Sequence, residues 1–560
     1  MATLSYPWLK SYPQGLRWDA AIAEHPLFAL LDEAEDRYGD HTAIDFMGRK
    51  YSYAELAENV RRLAQGLHKL GVTKGIKVGL FMPNCPQFVM SYYAILKTGG
   101  TVVNYNPLYS LSEVQHQIED SATEIMITLA LKAIYPKVAQ CLGNTKLKKI
   151  IVSEFQEALP LAKRLAFPLA RKHDITSIPD DDRHVRFTAL LEASDAPLQT
   201  IIHAKSDIAV LQYTGGTTGV PKGAVLTHAN LYANTLQCGM WFTGLKHGEE
   251  IIVGALPLFH VFAMATVMNL AIHTGSTMLL HPKFDMKSIL YDVHFKRPTL
   301  MPGVPTMFAA INNYKDIGKY DLTSLKMCIS GGGPLPAEVK LAFEKRTGCK
   351  LIEGYGLTET SPVVSANPLF GINKTNSIGI PFPQTIMEVT DLDNPEKALG
   401  IGETGEICIT GPQVMRGYLH QLEETNRIIR NGRLHTGDIG YMDEEGYFYI
   451  VDRLKEMIIS GGYNIYPRNI EEILYKHPAV AEAAVIGIPH PQRVQVPKAF
   501  IVKKEGMQVT EAEIKEHLKA SLASYAMPHS IEFRDSLPKS MIGKILKKEL
   551  AAEEKAKQEK

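Results

Sequence analysis

The chain has 560 residues, 45% of them hydrophobic and 21% charged, which is the profile of an ordinary globular protein of about three or four domains. Lys and Arg together number 60, as do Asp and Glu, and this zero net charge argues against a nucleic-acid-binding protein that relies on overall charge. The six cysteines include no C-x-x-C pair, which argues against a disulfide framework or a structural zinc site and favours the reducing cytoplasm.

Helical and strand patterns alternate through the first half of the chain. Ser52 and Glu55 have the spacing of a capping box, and apolar residues at helical spacing follow until Gly71, so a helix is predicted between them. Short apolar runs predict strands at 77–82, 101–104, 124–128, 149–152 and 207–213. Strands that alternate with helices in this way predict an α/β architecture with largely parallel sheets.

Residues 251–282 contain no Asp, Glu, Lys or Arg, and this length could imitate a membrane span. The stretch also contains Pro257, His260, Asn269 and two glycines. We therefore interpret it as a buried strand, a loop, a helix and a second strand.

The pattern changes past residue 380. Short strands at 405–410 and 446–451, separated by Gly, Asp and Asn, predict a smaller β-rich subdomain. The charged residues 452–456 separate it from a last segment with its own helix, which the capping box 510–513 opens. This segment is predicted to be a compact α+β domain.

The most informative stretch is 214–223, where four glycines and three threonines directly follow a predicted strand. Glycines let backbone N–H groups turn inward around an anion, threonine hydroxyls add donors, and Lys222 supplies a positive charge. The spacing is not that of a Walker A loop, because Pro221 precedes Lys222. The stretch predicts a phosphate-binding loop rather than a flexible surface loop.

This loop resembles the phosphate-loop signature of the adenylate-forming superfamily, which includes acyl-CoA synthetases, firefly luciferase and the adenylation domains of peptide synthetases. Further segments match in the family's order, at 256–262, 330–336, 354–360, 434–438, 451–453 and 538–544. The resemblance implies an ATP- and acyl-binding domain of α/β subdomains over 1–452, with its β-rich subdomain at about 375–452. A hinge at 453–456 and a small mobile α+β lid domain over 457–560 would follow.

The resemblance also implies the nucleotide site. The ATP-binding set is Thr214, Gly215, Gly216, Thr217, Thr218, Gly219, Gly331, Gly332, Gly333, Tyr355, Gly356, Thr358, Asp438 and Arg453. In this set Tyr355 stacks on adenine, Thr358 touches the α-phosphate, and Asp438 and Arg453 contact the ribose.

Metal and catalytic roles follow from the same resemblance. Glu359 would hold Mg²⁺ with help from Thr214, and a hard cation bound to phosphates needs only one protein carboxylate. Because two anions must meet in the reaction, Lys222 and Lys544 are expected to neutralise charge, with Lys544 bridging the acyl oxygen and the α-phosphate. Lys544 belongs to the small domain, which must therefore close over the nucleotide.

The acyl pocket and the CoA channel are implied as well. His260 lies near the substrate carboxylate in the family, and Met264 stands where one bacterial member has a tryptophan that gates its fatty-acid tunnel. Methionine is flexible and apolar, so a hydrophobic passage remains. The small domain is expected to rotate about Lys455 for the second step, bringing Gly461 and Gly462 to the pantetheine channel.

The activity implied is that of an acid–thiol ligase that uses ATP, Mg²⁺ and coenzyme A. It would convert a fatty acid to an acyl-adenylate and then to acyl-CoA, releasing pyrophosphate and AMP. Residues 420–472 most resemble bacterial long-chain fatty acyl-CoA synthetases, although Arg433 replaces a tryptophan of their signature. Coumarate-type and medium-chain ligases are the alternatives. A catalytically silent nucleotide-binding regulator would not need Glu359, Asp438 and Lys544 together.

Residues 161–173 are both basic and apolar, as is typical of a surface helix that contacts lipids, although Pro168 interrupts them. Because of this proline, a solvated insertion is the preferred interpretation and a lipid-contacting helix is the alternative. We expect small-molecule substrates, no nucleic acid and a cytoplasmic location. Peripheral contact with the inner face of the membrane and a homodimer both stay open.

Overall fold

The computed structural model describes residues 6–214, 221–460, 463–519, 521–540 and 543–558. Within these ranges the strands form four sheets, two of which are large and mainly parallel. The helices of the first half are Ala29–Tyr38, Tyr53–Lys69, Pro86–Lys97, Leu111–Ser121, Tyr135–Cys141, Leu161–Ala170, Phe187–Leu191 and His228–Trp241. Those that follow are Val261–Ala263, Leu270–Thr274, Met286–Lys296, Pro305–Asn312, Ala337–Thr347, Leu422–Ile428, Pro467–Tyr475, Glu511–Lys519 and Lys547–Gln558.

The N-terminal sheet has eight strands. In spatial order they are Gly417–Tyr418, Lys222–Thr227, Ile208–Thr214, Thr101–Asn104, Lys77–Phe81, Thr123–Leu129, Lys149–Ser153 and His184–Arg186. The last six are mutually parallel, whereas Lys222–Thr227 folds back antiparallel to Ile208–Thr214. All five strands predicted from short apolar runs lie in this sheet, because fully buried parallel strands read as continuous apolar runs.

The second sheet has nine strands. Their order is Ile380–Pro381, Val363–Ala366, Lys350–Gly356, Met327–Ser330, Leu300–Gly303, Ile251–Gly254, Thr277–Leu280, Thr42–Phe46 and Arg49–Ser52. The uncharged stretch 251–282 supplies two of these strands and the helical segment between them, which confirms its interpretation. Among the described residues, no helix combines the length and apolar character that a membrane crossing requires.

The β-rich sheet comprises Ile386–Thr390, Gly405–Thr410, Arg433–Met442, Ile429–Arg430 and Phe448–Arg453, all paired antiparallel. The C-terminal sheet comprises Tyr463–Ile465, Ile458–Ser460, Val494–Lys503, Val480–His490 and Ser530–Arg534. An apolar core of its own, which includes Ile470, Val485, Ile501 and Leu518, lies between this sheet and the helices Pro467–Tyr475 and Glu511–Lys519.

Two helix starts illustrate how local sequence sets these elements. The Ser52 hydroxyl accepts a hydrogen bond from the Glu55 N–H (3.1 Å) before the helix Tyr53–Lys69, and Gly71 follows its end with φ +92°. The predicted capping box of Thr510 and Glu513 is complete before Glu511–Lys519. The α/β fold class with a smaller α+β C-terminal domain is confirmed, and the mobility of that domain stays a prediction.

Candidate nucleotide and acyl site

The predicted nucleotide residues gather where strands of the two large sheets end. Thr214 is the last residue of Ile208–Thr214, Gly331–333 follow Met327–Ser330, and Tyr355 and Gly356 end Lys350–Gly356. In open α/β sheets ligands bind beyond the carboxyl ends of the strands. Gly356 is sterically required, because a Cβ there would lie 2.0 Å from the Pro362 carbonyl oxygen. Gly331 is closely packed, since a Cβ there would lie 3.1 Å from the Phe262 ring.

Asp438 is the centre of the predicted ribose contact. Its carboxylate is buried, accepts a hydrogen bond from the Tyr355 hydroxyl (2.6 Å) and forms an ion pair with Arg453, whose Nε lies 3.0 Å from Oδ1. Asp438 and Arg453 are directly opposed in the antiparallel β-rich sheet. Burial and the Asp438 charge hold the pKa of Tyr355 well above its usual value, so its ring is a neutral, flat surface.

The residues predicted to face the phosphates are joined by a second set of side-chain contacts. Lys222 pairs with the carboxylate of Glu424, and its ammonium lies 5.3 Å from the centre of the Tyr418 ring. The Tyr418 hydroxyl donates to Glu359 Oε1 (2.5 Å), the carboxylate predicted to hold Mg²⁺. Thr214 is the strand partner of Lys222, so the two predicted metal ligands and the cation share one region. Thr358, half-buried, opens the short helix that carries Glu359.

Some predicted residues lie outside the described part of the chain. They are Gly215, Gly216, Thr217, Thr218 and Gly219 of the phosphate loop, and Gly461 and Gly462 of the CoA channel. Their roles stay predictions.

Lys544 is brought to the nucleotide site by the C-terminal domain. The positive charge of Arg453, followed by desolvation within the cleft, lowers the pKa of Lys544 to about 8, while Glu456 and Asp438 oppose this shift. Lys544 is nevertheless an exposed residue, so the charge of Arg453 rather than burial is the main cause of this shift. The preceding Gly543 has φ +73°, and a Cβ there would lie 2.2 Å from the Thr306 hydroxyl oxygen, so the loop touches the large domain closely.

His260 faces the same lysine. Burial lowers the pKa of His260 to about 4, and the charge of Lys544 acts in the same direction, so the imidazole is neutral at neutral pH. Its Nδ1 accepts a hydrogen bond from the Phe262 N–H (3.3 Å), which fixes the ring at the start of the helical segment. A neutral imidazole can position a carboxylate but cannot supply a positive charge.

Met264 is fully buried at the start of a π-helical turn, Met264–Asn269. Such turns occur frequently at functional sites. The Asn104 side-chain amide donates to the Met264 sulfur (3.6 Å) and to Gln212 Oε1 (2.9 Å). Arg433, the departure from the family signature, lies in the β-rich sheet beside Glu388 (3.3 Å).

Lys455 is exposed where the chain passes from the β-rich sheet to the C-terminal domain. Desolvation, followed by the charges of Arg427 and Lys222, lowers its pKa. Its role as a hinge stays a prediction.

Similar proteins are known from sequence and from structure. A family profile described as AMP-binding enzyme matches residues 31–419, and one described as AMP-binding enzyme C-terminal domain matches residues 469–544. The chain belongs to the AMP-binding enzyme family. The resemblance that the motifs indicated is therefore confirmed.

Relatives of this AMP-binding enzyme match it over almost its whole length. The long-chain-fatty-acid–CoA ligase of Bacillus subtilis (strain 168) is 42% identical over 551 residues, or 98% of each chain. That of Escherichia coli O157:H7 is 38% identical over 559 residues, again 98% of each. The crystal structure of ATP-bound MatB from Rhodopseudomonas palustris has a TM-score of 0.84 and 29% identity, and covers 95% of this chain and 99% of MatB.

Sequence reasoning missed several residues of the site in this AMP-binding enzyme. Tyr418 and Glu424, which hold Glu359 and Lys222, had not been singled out. Glu406 had not been either, although its carboxylate accepts the Gly437 N–H (2.9 Å) and contacts His435 Nδ1 (2.8 Å). It thereby holds the bulge that presents Asp438, the predicted ribose contact. The one available signal was that Glu406 is the second residue of the predicted strand 405–410.

Proposed function

We propose that this protein is an ATP-dependent acid–thiol ligase that converts a fatty acid into its coenzyme A thioester. In the first step the fatty-acid carboxylate attacks the α-phosphorus of ATP, forming an acyl-adenylate and releasing pyrophosphate. In the second step the CoA thiolate attacks the acyl carbon and AMP leaves. The supporting observation is that Lys544 lies within electrostatic reach of both the Asp438–Arg453 pair and His260.

The nucleotide would be held by groups that are already ordered. The neutral Tyr355 ring offers a stacking surface for adenine, beside the small residues Gly331–333 and Gly356. The Asp438 carboxylate suits the paired ribose hydroxyls, and Arg453 adds donors next to it. Since Tyr355 and Arg453 hold this carboxylate in place, little ordering is left to be done when ATP binds.

Charge neutralisation is the main catalytic demand of the first step. Two lysines would supply positive charge to the phosphates. Lys222 lies in a strand of the large domain, and Lys544 belongs to the small domain. Lys544 would act where charge develops between the acyl oxygen and the α-phosphate. The neutral His260 would orient the incoming carboxylate without competing with it for a proton.

The residues present also fit a magnesium ion. Glu359 offers a carboxylate and Thr214 a hydroxyl, which are the hard oxygen donors that Mg²⁺ takes when phosphates and water complete its shell. When bound there, the ion would offset the negative charge of the phosphates. For the second step, rotation about Lys455 would withdraw Lys544 and bring the turn with Gly461 and Gly462 to the CoA channel.

Long-chain fatty acids are the proposed substrates, supported by the two relatives and by the buried, apolar Met264. Pyrophosphate release should be measured across saturated and unsaturated acids from acetate to oleate, with coumarate included. We expect kcat/KM to rise by up to about fourfold per added methylene until the passage is filled, because each buried methylene contributes about 0.8 kcal/mol. Faster turnover of coumarate than of oleate would favour the coumarate-type alternative, and no release with any acid would favour a silent regulator.

We further propose that the enzyme works in the cytoplasm and docks on the inner face of an anionic membrane through the helix Leu161–Ala170. Leu161, Leu165 and Leu169 recur every fourth residue and are 72%, 69% and 86% exposed. Phe167 packs on Phe155 with ring centres 5.3 Å apart, which holds the helix on the protein. Its basic neighbours, Lys163, Arg164, Arg171 and Lys172, complement anionic headgroups.

Co-sedimentation with vesicles that contain anionic lipid tests this surface. The double variant Leu165→Asp/Leu169→Asp should lose roughly tenfold or more in vesicle affinity, since two leucines no longer enter the interface. Leu108→Asp, at another exposed leucine (66%), is the matched control and should bind as the wild type does. Equal binding by all three proteins would contradict the proposed docking surface while leaving the proposed ligase activity untouched.

A further inference from the structure

A buried carboxylate joins the two domains beside the proposed hinge. Asp452, 3% exposed, lies in the strand Phe448–Arg453 just before Lys455. Its Oδ1 accepts the Arg453 N–H (2.7 Å), and its Oδ2 accepts the Arg468 N–H (2.9 Å). Arg468 is in the first turn of the helix Pro467–Tyr475, whose N–H groups have no partner within the helix. The large domain therefore caps a helix of the small domain.

A second buried carboxyl group of the large domain faces the same arginine. Glu353 lies two residues before Tyr355 in the strand that carries the adenine-stacking ring. Burial raises the pKa of Glu353 to about 7, and the charge of Arg468 is the largest effect that opposes this rise. The Arg468 guanidinium also donates to Glu472 (3.0 Å) and keeps only 12% of its side chain exposed. Arg468 thus contacts the large domain at Asp452 through its backbone N–H and acts on Glu353 through its charge.

The same cluster holds the segment that carries the catalytic lysine. Lys547 lies 2.9 Å from Glu456 and 2.9 Å from Glu471, and its charge opposes the burial of Asp452. It is three residues beyond Lys544. The position of Lys544 in the cleft is therefore tied to the position of the helix that Asp452 caps.

We propose that Asp452 and Arg468 form a clasp that selects the orientation in which Lys544 enters the nucleotide site. The inference rests on the proposed two-step function. Asp452 precedes the hinge and Arg468 follows it, so rotation about Lys455 separates them, whereas the Lys547–Glu471 pair lies within the small domain and survives. The clasp favours adenylate formation over thioester formation, and Asp452 acts as a positioning residue.

The two half-reactions test the clasp separately. Asp452→Ala should slow single-turnover pyrophosphate release from ATP and oleate by up to about tenfold, if the free energy that a helix cap contributes is lost only from the orientation that places Lys544 in the nucleotide site. Thioester formation from supplied oleoyl-adenylate and CoA should stay unchanged or become faster, because the small domain is freer to leave the first orientation. Arg468→Met, which removes the charge facing Glu353, should change the two rates in the same directions.

Two further variants separate the effect of the clasp from a general loss of function. Asp452→Asn retains one accepting oxygen and should recover part of the adenylation rate. Asp391→Asn is the matched control, since Asp391 also accepts backbone N–H groups (2.9 and 3.1 Å) in the same subdomain but contacts no helix of the small domain in the described hydrogen bonds. Equal loss in both half-reactions, or no change in either, would overturn the clasp. Absence of adenylate formation by the wild type would instead overturn the proposed function.

Discussion

Lys544→Ala is expected to reduce ATP-dependent adenylate formation by about 10²–10³-fold, the usual effect of removing one preorganised donor from a developing oxyanion. The large domain would still hold ATP, because Tyr355 and Arg453 hold Asp438 through contacts that do not involve this lysine. Thioester formation from supplied oleoyl-adenylate should survive, since Lys544 has no part in that step. Pyrophosphate release and thioester production, each measured in a single turnover, give the two rates.

Lys539→Ala is the matched control. Lys539 belongs to the same motif but pairs with Glu482 of the small domain, so its loss should leave both rates near those of the wild type. The rate of adenylation by the wild type should also fall as the pH rises above about 8, because Lys544 then loses its proton and its charge. The rate of thioester formation should not show this decrease. If Lys544→Ala slowed both steps equally, the division of labour between them would be wrong.

The parts of the fold that the sequence predicted are those coded locally. Buried parallel strands appear as continuous apolar runs, and the helix starts at Ser52 and Thr510 need only residues three positions apart. The glycines of the site are predicted from their motifs. At Gly356 the structure supplies a physical reason, because the backbone there leaves no room for a side chain. Hydropathy alone could not distinguish the segment 251–282 from a membrane span, whereas its proline, histidine and glycines indicated separate strands and a helix.

The contacts that complete the site could not be predicted in this way. Tyr418 meets Glu359 from 59 positions away, and Glu424 meets Lys222 from 202 positions away. The strand that carries Tyr418 has only two residues, too few to show a periodic pattern. The pairing of these charged side chains depends on the register between distant strands, and the packing of the whole core sets that register.

The link between Asp452 and Arg468 shows the same limit at the level of domains. The charged residues 452–456 were interpreted from composition as a boundary. The buried carboxylate of Asp452 also links the segments before and after this boundary, because the backbone N–H groups at the start of a helix need acceptors. Composition reports that a segment is polar, and only the tertiary structure reports what it contacts.

Asp438→Asn is expected to weaken ATP binding by roughly 10–150-fold, since a hydrogen bond to a charged acceptor contributes about 1.5–3 kcal/mol. The amide keeps the shape of the side chain but cannot accept from Tyr355, Arg453 and a ribose hydroxyl at once. The KM for ATP, measured through pyrophosphate release at saturating fatty acid, should rise more than kcat falls. Because Arg453 keeps about a third of its side chain exposed (37%), its lost partner should cost only about 1–3 kcal/mol of unfolding free energy.

Asp443→Asn separates the effect on ATP binding from the effect on stability. Asp443 lies at the end of the same hairpin and accepts hydrogen bonds from Lys374 Nζ (2.6 Å) and from the Tyr449 hydroxyl (3.1 Å), away from the predicted nucleotide contacts. Its variant should lose thermal stability while its KM for ATP stays that of the wild type. A folded Asp438→Asn protein with an unchanged KM for ATP would show that this carboxylate does not hold the ribose.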